Sequence, residues 1–362
     1  EAGDRIAEPW RRRHPQLRLN IHRHFAALPG LPVPHNDGTF LRRDTVVAYL
    51  ERYARMLSLP IRYRTVVRAI TKQSGGWRVE TSTGVFAAEH LVIATGREKT
   101  PVMPELPGHA AFEGELLHAA HVGDMRRFEG KRVLVLGAGN SGTDVLNHLA
   151  GVATAKTWVS LRHGPVIIPT RLLGFPMHRL ANLFAAMPTA WLDRLLPLTQ
   201  RLAFGDLRRF GLKSHAVGAG TRLARDGITP ALDNGFVAAL KAGQMQIVPE
   251  TTGFDGKTAL LAYGERLTPD VVICATGYRS NLEDLVGDLD VLDAAGRPRL
   301  GGGQPHPRHP GLWFAGYEVT FQGYFYAAQR AARRIARGVA KDRRDARPLA
   351  WSLPGSAAGE GA

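Results

Sequence analysis

Lys131-Arg-Val-Leu-Val-Leu-Gly-Ala-Gly-Asn-Ser-Gly-Thr-Asp-Val-Leu-Asn-His-Leu-Ala150 changes its hydrophobic period within a few residues. Val133 to Leu136 form a continuous apolar run, as expected of a strand covered on both faces. Gly137-x-Gly139-x-x-Gly142 follows, and Val145, Leu146 and Leu149 then recur at helical spacing. Strand, glycine turn and helix in that order open a phosphate-binding βαβ unit. Gly137 permits the tight turn, Gly139 lets the backbone approach a pyrophosphate, and Gly142 lets the helix close on the strand. The helix start, carrying Asn140 and Ser141, presents unpaired N–H groups and a positive dipole end to phosphate. A glycine turn that serves packing alone is the competing reading, and the flanking strand and helix weigh against it.

The next strand, Lys156 to Leu161, closes on Arg162-His163. An acidic residue there would accept from the ribose hydroxyl of NAD, whereas a guanidinium suits a 2′-phosphate. The reading is therefore NADPH, with a plain surface arginine as the alternative in an Arg-rich chain.

Further out, two segments look alike. His90-Leu-Val-Ile-Ala-Thr-Gly96 and Asp270-Val-Val-Ile-Cys-Ala-Thr-Gly-Tyr278 are both β-branched apolar runs that end in Ala-Thr-Gly. Each predicts a buried parallel strand, and the repeat predicts two related nucleotide-binding halves. Pro101, Pro104 and Pro107 mark an extended crossing between halves, and Gly301 to Pro310 a second, irregular one. Arg43 to Leu57 has helical periodicity. Ile61 to Thr83 alternates as strands, with Ser74-Gly75-Gly76 as a hairpin turn before Trp77. Pro165 to Leu202 is apolar but broken by prolines and glycines, and reads as a core cover in preference to an interfacial helix pair on a membrane. Arg330 to Arg347 reads as a solvated terminal helix in preference to a nucleic-acid arm, and Ser352 to Ala362 is predicted disordered.

Composition narrows the class. The chain has 362 residues, 44% hydrophobic and 22% charged, enough for two domains with sizeable cores. No apolar run approaches bilayer-spanning length, and EAGDRIAEPWRRR at the start lacks the apolar core of a signal peptide. Cys274 is the lone cysteine, which excludes an intrachain disulfide and a CxxC redox pair and fits a reducing, cytoplasmic setting. The net charge of +15 is spread along the chain without a nucleic-acid motif, so no nucleic-acid partner is expected. His14, His22, His24 and His35 lack metal-ligand spacing, so no metal is expected.

The order of these pieces resembles the class B flavin-containing monooxygenases, above all their bacterial and YUCCA-type branch. Trp10 and Leu17-Arg-Leu-Asn-Ile21, then Phe25, Leu28-Pro29 and Pro34, resemble the family's early loop over the flavin. Thr45 to Ala54 resembles its following helix. Leu91 to Gly96 with Pro101 to Gly108 resembles its ATG strand and proline-rich crossing. Phe112-Glu-Gly114-Glu-Leu-Leu-His118 resembles its FxGxxxH signature, and Ala275-Thr-Gly-Tyr278 its late ATGY. Gly311-Leu-Trp-Phe-Ala-Gly316 to Gly323 resembles the closing segment under the flavin.

The resemblance implies an α/β fold of two doubly wound nucleotide-binding domains, the NADPH domain inserted in the FAD domain. The FAD domain would span 1–107 and 286–345 and the NADPH domain 108–285, with 346–362 a disordered tail. It implies FAD and NADPH as cofactors. Glu1, Trp10, Thr95, Gly96, Ala275, Thr276, Gly277, Tyr278, Gly316 and Gly323 would join Gly137, Gly139, Asn140, Ser141, Gly142 and Arg162 in binding them. It implies Asn20 as the polar group beside the reacting ring, where amine-oxidising members carry Asn and the plant branch often has His. The implied reaction inserts one oxygen atom from O2 into a small organic substrate through a C4a-hydroperoxyflavin.

Two departures stand out. The family opens with a strand and a first GxGxxG for FAD. Here Glu1-Ala-Gly resembles the end of the second strand, so an opening of about 35 residues is expected to be missing and FAD binding by this chain to be weakened. Val122 replaces the family's usual aromatic four residues after His118, which points away from the Baeyer–Villiger sub-branch. Two alternatives stay open: an NADPH-dependent flavin reductase or oxidase, and a non-catalytic nucleotide-binding relative.

Overall fold

The five-stranded sheet at the centre is parallel throughout. Its order is Met245–Val248, Lys156–Ser160, Arg132–Leu136, Val271–Cys274, Glu115–His118, and the computed structural model describes residues 1–345. The predicted tail at 346–362 lies outside the described residues. Consecutive strands lie side by side around Arg132–Leu136, and the chain returns to the other side of it through Val271–Cys274, so the strand order reverses there. The apolar runs are buried on both faces, as their lack of alternation requires. Val133, Val135 and Ile273 face Val145, Leu146, Leu149, Phe236 and Leu240 from the helices Asn140–Leu149 and Phe236–Lys241. Leu134, Leu136, Val272 and Cys274 face Phe254, Ala259 and Leu261. These belong to a three-stranded antiparallel sheet of Thr251–Asp255, Thr258–Leu261 and Arg266–Leu267.

Outside this sheet, one core forms around Trp77, Ile93, Leu282, Val286, Val291, Leu312 and Phe314, and another around Leu19, Ala26, Leu41, Val46 and Tyr49. Leu91–Ile93 pairs in parallel with Leu312–Phe314. The expectation that this first Ala-Thr-Gly strand is buried like the second is corrected here: Val92 is 42% exposed. Only one face of the strand meets the core, and among the described residues the sheet has no third member. The helix Arg43–Met56 and the hairpin of Val67–Gln73 with Gly76–Thr81 form where the sequence predicts them, with Gln73 opposite Gly76. A third strand, Gly84–Ala88, joins the hairpin on its outer edge; it is almost wholly exposed and so carries no apolar alternation to read.

The two halves meet where the chain crosses. Thr100–Pro101 pairs antiparallel with Tyr278–Arg279, so the proline-rich connector is locally a ribbon and not a plain extended link. The Pro165 to Leu202 segment covers a core on one side only. Leu192, Leu196 and Gln200 of the helix Thr189–Phe204 point inward. Trp191, Leu198 and Leu202 point to solvent, so the segment covers a core with one face and leaves apolar side chains on the other. The terminal helix Tyr324–Asp345 buries Ala327, Ala331 and Ile335. None of the described helices is long and apolar enough to cross a membrane.

Candidate functional site

A crevice of about 2220 Å³ is lined by residues of the early loop, of the parallel sheet and of the closing segment Gly316–Phe325. Every binding or catalytic residue predicted from the sequence borders it except Gly142. The Gly137–Gly139 turn, Asn140, Ser141 and Arg162 line it, as do Ala275, Thr276, Gly277 and Tyr278. Glu1, Trp10, Asn20, Thr95, Gly96, Gly316 and Gly323 line the rest.

The glycine turn separates packing from ligand demand. Gly137 has φ 95°, and a Cβ there would lie 3.1 Å from the Ala275 carbonyl oxygen. At Gly142 a Cβ would stand 2.1 Å from the Gly137 carbonyl oxygen, so this glycine is buried spacing between helix and strand and does not reach the crevice. Gly139 is different. Its φ of −63° and ψ of −168° suit most residues, and a Cβ there would meet nothing within 4 Å. Nothing in the chain demands a glycine at this point; a group arriving from the crevice would. Gly139 is also the N-cap of Asn140–Leu149 and supplies no side-chain acceptor, so the first N–H groups are left for an anion. Thr143 donates from its hydroxyl to the Ala138 carbonyl at 2.9 Å and holds the turn closed from below.

Arg162 is mostly exposed, and its Nε lies 3.0 Å from Glu250 Oε1. His163 stands beside it with its ring 5.4 Å from that of His215. This part of the crevice is therefore basic, with one carboxylate against the guanidinium.

The early loop bridges the halves. Arg13 donates to the Tyr278 hydroxyl and to Glu98 Oε2, the latter at 2.8 Å, and its guanidinium lies 5.0 Å from the Tyr278 ring centre. Gln16 donates to Asp124 at 2.6 Å, and His14 Nε2 lies 2.7 Å from Asp144 Oδ2. Asp144, the acidic neighbour of His14, lies 130 residues away in sequence. At the loop's far end Ile21 packs on Gly323, where a Cβ would come within 2.4 Å of Ile21 Cγ2. Asn20 stands between these anchors, exposed to the crevice, and its amide has no hydrogen-bond partner among the described residues.

His118 is 1% exposed and does not border the crevice. Its Nδ1 accepts from the Ala120 N–H at 3.0 Å, so Nε2 carries the proton and donates to the Gly277 carbonyl at 3.0 Å. Burial pulls its pKa below the usual range, against the bond to Gly277. The side chain thus fixes the late Ala-Thr-Gly turn and has no contact with the crevice. Cys274 is buried, and burial pushes its thiol up to about 12, which rules it out as a thiolate.

Sequence reading missed His178. It borders the crevice, and its Nδ1 accepts from the His22 N–H at 3.2 Å. Burial brings both His22 and His178 down to about 4, so two neutral imidazoles lie beside the Asn20 loop. No local pattern around Met177-His178-Arg179 marks that role; the contact depends on a fold of the insertion.

Residues 25–164 match the family described as pyridine nucleotide-disulphide oxidoreductase. The chain is 32% identical over 330 residues to the probable indole-3-pyruvate monooxygenase YUCCA9 of Arabidopsis thaliana, covering 88% of this chain and 77% of the relative. It is 33% identical over 316 residues to the indole-3-pyruvate monooxygenase YUCCA8 of Oryza sativa subsp. japonica, covering 83% and 75%. Among solved structures it is similar to a flavin-containing monooxygenase from Stenotrophomonas maltophilia (TM-score 0.65, 24% identity), covering 92% of this chain and 90% of that one. It is also similar to a steroid monooxygenase bound to NADP (TM-score 0.66, 18% identity), covering 95% and 81%. The likeness to these structures is one of fold.

Proposed function

The chain belongs to the flavin-dependent monooxygenases that include the YUCCA proteins, and we propose that its crevice seats NADPH against Gly137–Gly142 and FAD against the early loop and the closing segment. It is an NADPH- and FAD-dependent monooxygenase acting on a small organic substrate with O2. The observation that carries the nucleotide assignment is Gly139, a glycine whose only evident purpose is to admit a ligand. We divide the chain into an FAD domain, 1–107 with 286–345, and an NADPH domain, 108–285. This division is supported by the separate cores around Trp77 and around Val135.

The chain's own residues have distinct tasks. The N–H groups at the start of Asn140–Leu149 hold the pyrophosphate of NADPH. Arg162 engages Glu250 through Nε, which leaves its outer nitrogens to meet the 2′-phosphate, with His163 and His215 adding donors. Glu1, Trp10, Thr95, Gly96, Gly316 and Gly323 border the space for FAD, and this lining fits a long polar cofactor. Gly96 and Gly316 both have positive φ, and a Cβ at either would meet nothing, so the backbone itself faces the group. FAD supplies hydride acceptance and activation of dioxygen when bound. Asn20 offers an unengaged amide to the reacting centre, and Arg13, His14 and Ile21 keep that amide in place. Indole-3-pyruvate, the substrate in the relatives' names, is the first compound to assay. The lone buried Cys274 supports a reducing, cytoplasmic setting.

Anaerobic mixing with NADPH and, separately, NADH tests the nucleotide reading. NADPH should bleach the oxidised flavin band at far lower concentration than NADH. Equal efficiency of the two would overturn the 2′-phosphate assignment, and no bleaching by either would overturn the shared crevice.

A further inference from the structure

Independently of the flavin chemistry, we propose that His14, Asp144 and His148 form a site for a borderline divalent cation of the Zn2+ type, tying the early loop to the nucleotide-binding helix. Asp144 and His148 are four residues apart on the helix Asn140–Leu149 and therefore share one face. His14 arrives from the other half of the chain, its side chain 3% exposed. His14 Nε2 lies 2.7 Å from Asp144 Oδ2, and His148 Nε2 lies 3.6 Å from Asp144 Oδ1. One ligand atom from each of the three residues falls within 4.8 Å of the others, and the two imidazole rings are 5.0 Å apart.

A tetrahedral ion with bonds of about 2.0–2.1 Å holds its ligand atoms roughly 3.4 Å apart, so modest side-chain rotations close the set. Two imidazole nitrogens and one carboxylate oxygen suit Zn2+ or Co2+ and discriminate against Mg2+ and Ca2+, which prefer oxygen. The charge arrangement points the same way. A carboxylate largely withdrawn from water favours a cation nearby, and both oxygens of Asp144 face imidazoles and not a lysine or arginine. The other nitrogen of His14, Nδ1, is buried and has no hydrogen-bond partner among the described residues, so Asp144 is the ring's one hydrogen-bonding contact there. Asp144 borders the crevice, which gives water access to the fourth position. The sequence concealed this set because its first member stands far from the other two.

The test is titration of the chelator-treated holoenzyme with Co2+, read by its ligand-field absorption, and with Zn2+ in competition with a chromophoric chelator. The wild type should bind one equivalent at about micromolar concentration, with the intense visible bands of four- or five-coordinate Co2+. His148→Gln, a change at the partly exposed member, and His14→Ala should each weaken the ion by at least about tenfold. His215→Ala, which alters a different imidazole pair, should leave it bound. A far-UV circular dichroism spectrum unchanged in His148→Gln keeps loss of fold apart from loss of a ligand. Absence of stoichiometric binding by the wild type, or undiminished binding by His148→Gln, would overturn the site.

Discussion

Exchanging Gly139 and Gly142 separately for alanine should divide ligand binding from folding. At Gly142 the new methyl would stand 2.1 Å from the Gly137 carbonyl oxygen and 3.2 Å from the Ala275 methyl. Both the helix and the turn are backbone there, so the helix must retreat, at an overpacking cost of about 1–3 kcal/mol. At Gly139 the methyl meets nothing within 4 Å, and the backbone angles already suit alanine. Removing a glycine from the unfolded chain then stabilises by about 0.4–1 kcal/mol. The same methyl occupies the approach of the pyrophosphate. Loss of one charge-assisted N–H contact at about 1.5–3 kcal/mol weakens NADPH by about 10- to 150-fold. Thermal unfolding of the protein without NADPH, paired with NADPH titration by fluorescence, reads both quantities. Gly139→Ala should keep or raise the melting temperature and lose NADPH affinity, while Gly142→Ala should lower the melting temperature. Wild-type NADPH affinity in Gly139→Ala, or a loss of stability equal to that of Gly142→Ala, would refute the reasoning.

Other consequences are equally specific. Arg162→Ala should raise the Kd for NADPH by about tenfold or more and leave NADH nearly unchanged, as charge-assisted phosphate contacts are worth about 1.5–3 kcal/mol; equal losses would place the 2′-phosphate elsewhere. His22 and His178 titrate at about 4 in the folded protein against 6.5 ordinarily. The unfolded chain therefore takes up protons that the native chain refuses, and stability should fall as pH drops from about 6.5 toward 4, by up to about 1.4 kcal/mol per pH unit for each imidazole. Urea midpoints across that range check this, and His178→Asn should flatten the slope. His118→Asn should alter flavin reduction by NADPH through the displaced Gly277 turn while leaving NADPH affinity within about threefold, since the side chain does not reach the crevice. Stopped-flow reduction rates compared with Kd separate these effects.

The nucleotide turn was legible because three signals coincide within one stretch: an apolar strand, spaced glycines and a helical stripe. Val271–Cys274 was legible for a related reason, since a strand buried on both faces needs an unbroken apolar run. The same rule misled at Leu91–Ile93. Its side chains have the composition of a buried strand, yet burial depends on neighbours that local sequence does not specify, and Val92 faces outward. Arg162 could be read from its position after the strand, but its pairing with Glu250 could not, because Glu250 follows a distant strand of the same sheet. His14 and His178 were illegible as site neighbours. Each acquires its role from a partner on another element, Asp144 or the His22 backbone, brought close only by the crossing of the two halves.

The central claim, that NADPH drives insertion of one oxygen atom into an organic substrate in this crevice, is tested most directly with 18O2. The protein is supplied with FAD, NADPH, 18O2 and indole-3-pyruvate, and the organic product is weighed by mass spectrometry while NADPH consumption is followed. The account predicts one 18O atom in each product molecule and one NADPH oxidised for each. NADPH oxidation with all consumed oxygen recovered as hydrogen peroxide, and no label in any organic product across a panel of oxo acids, amines and sulfides, would contradict it.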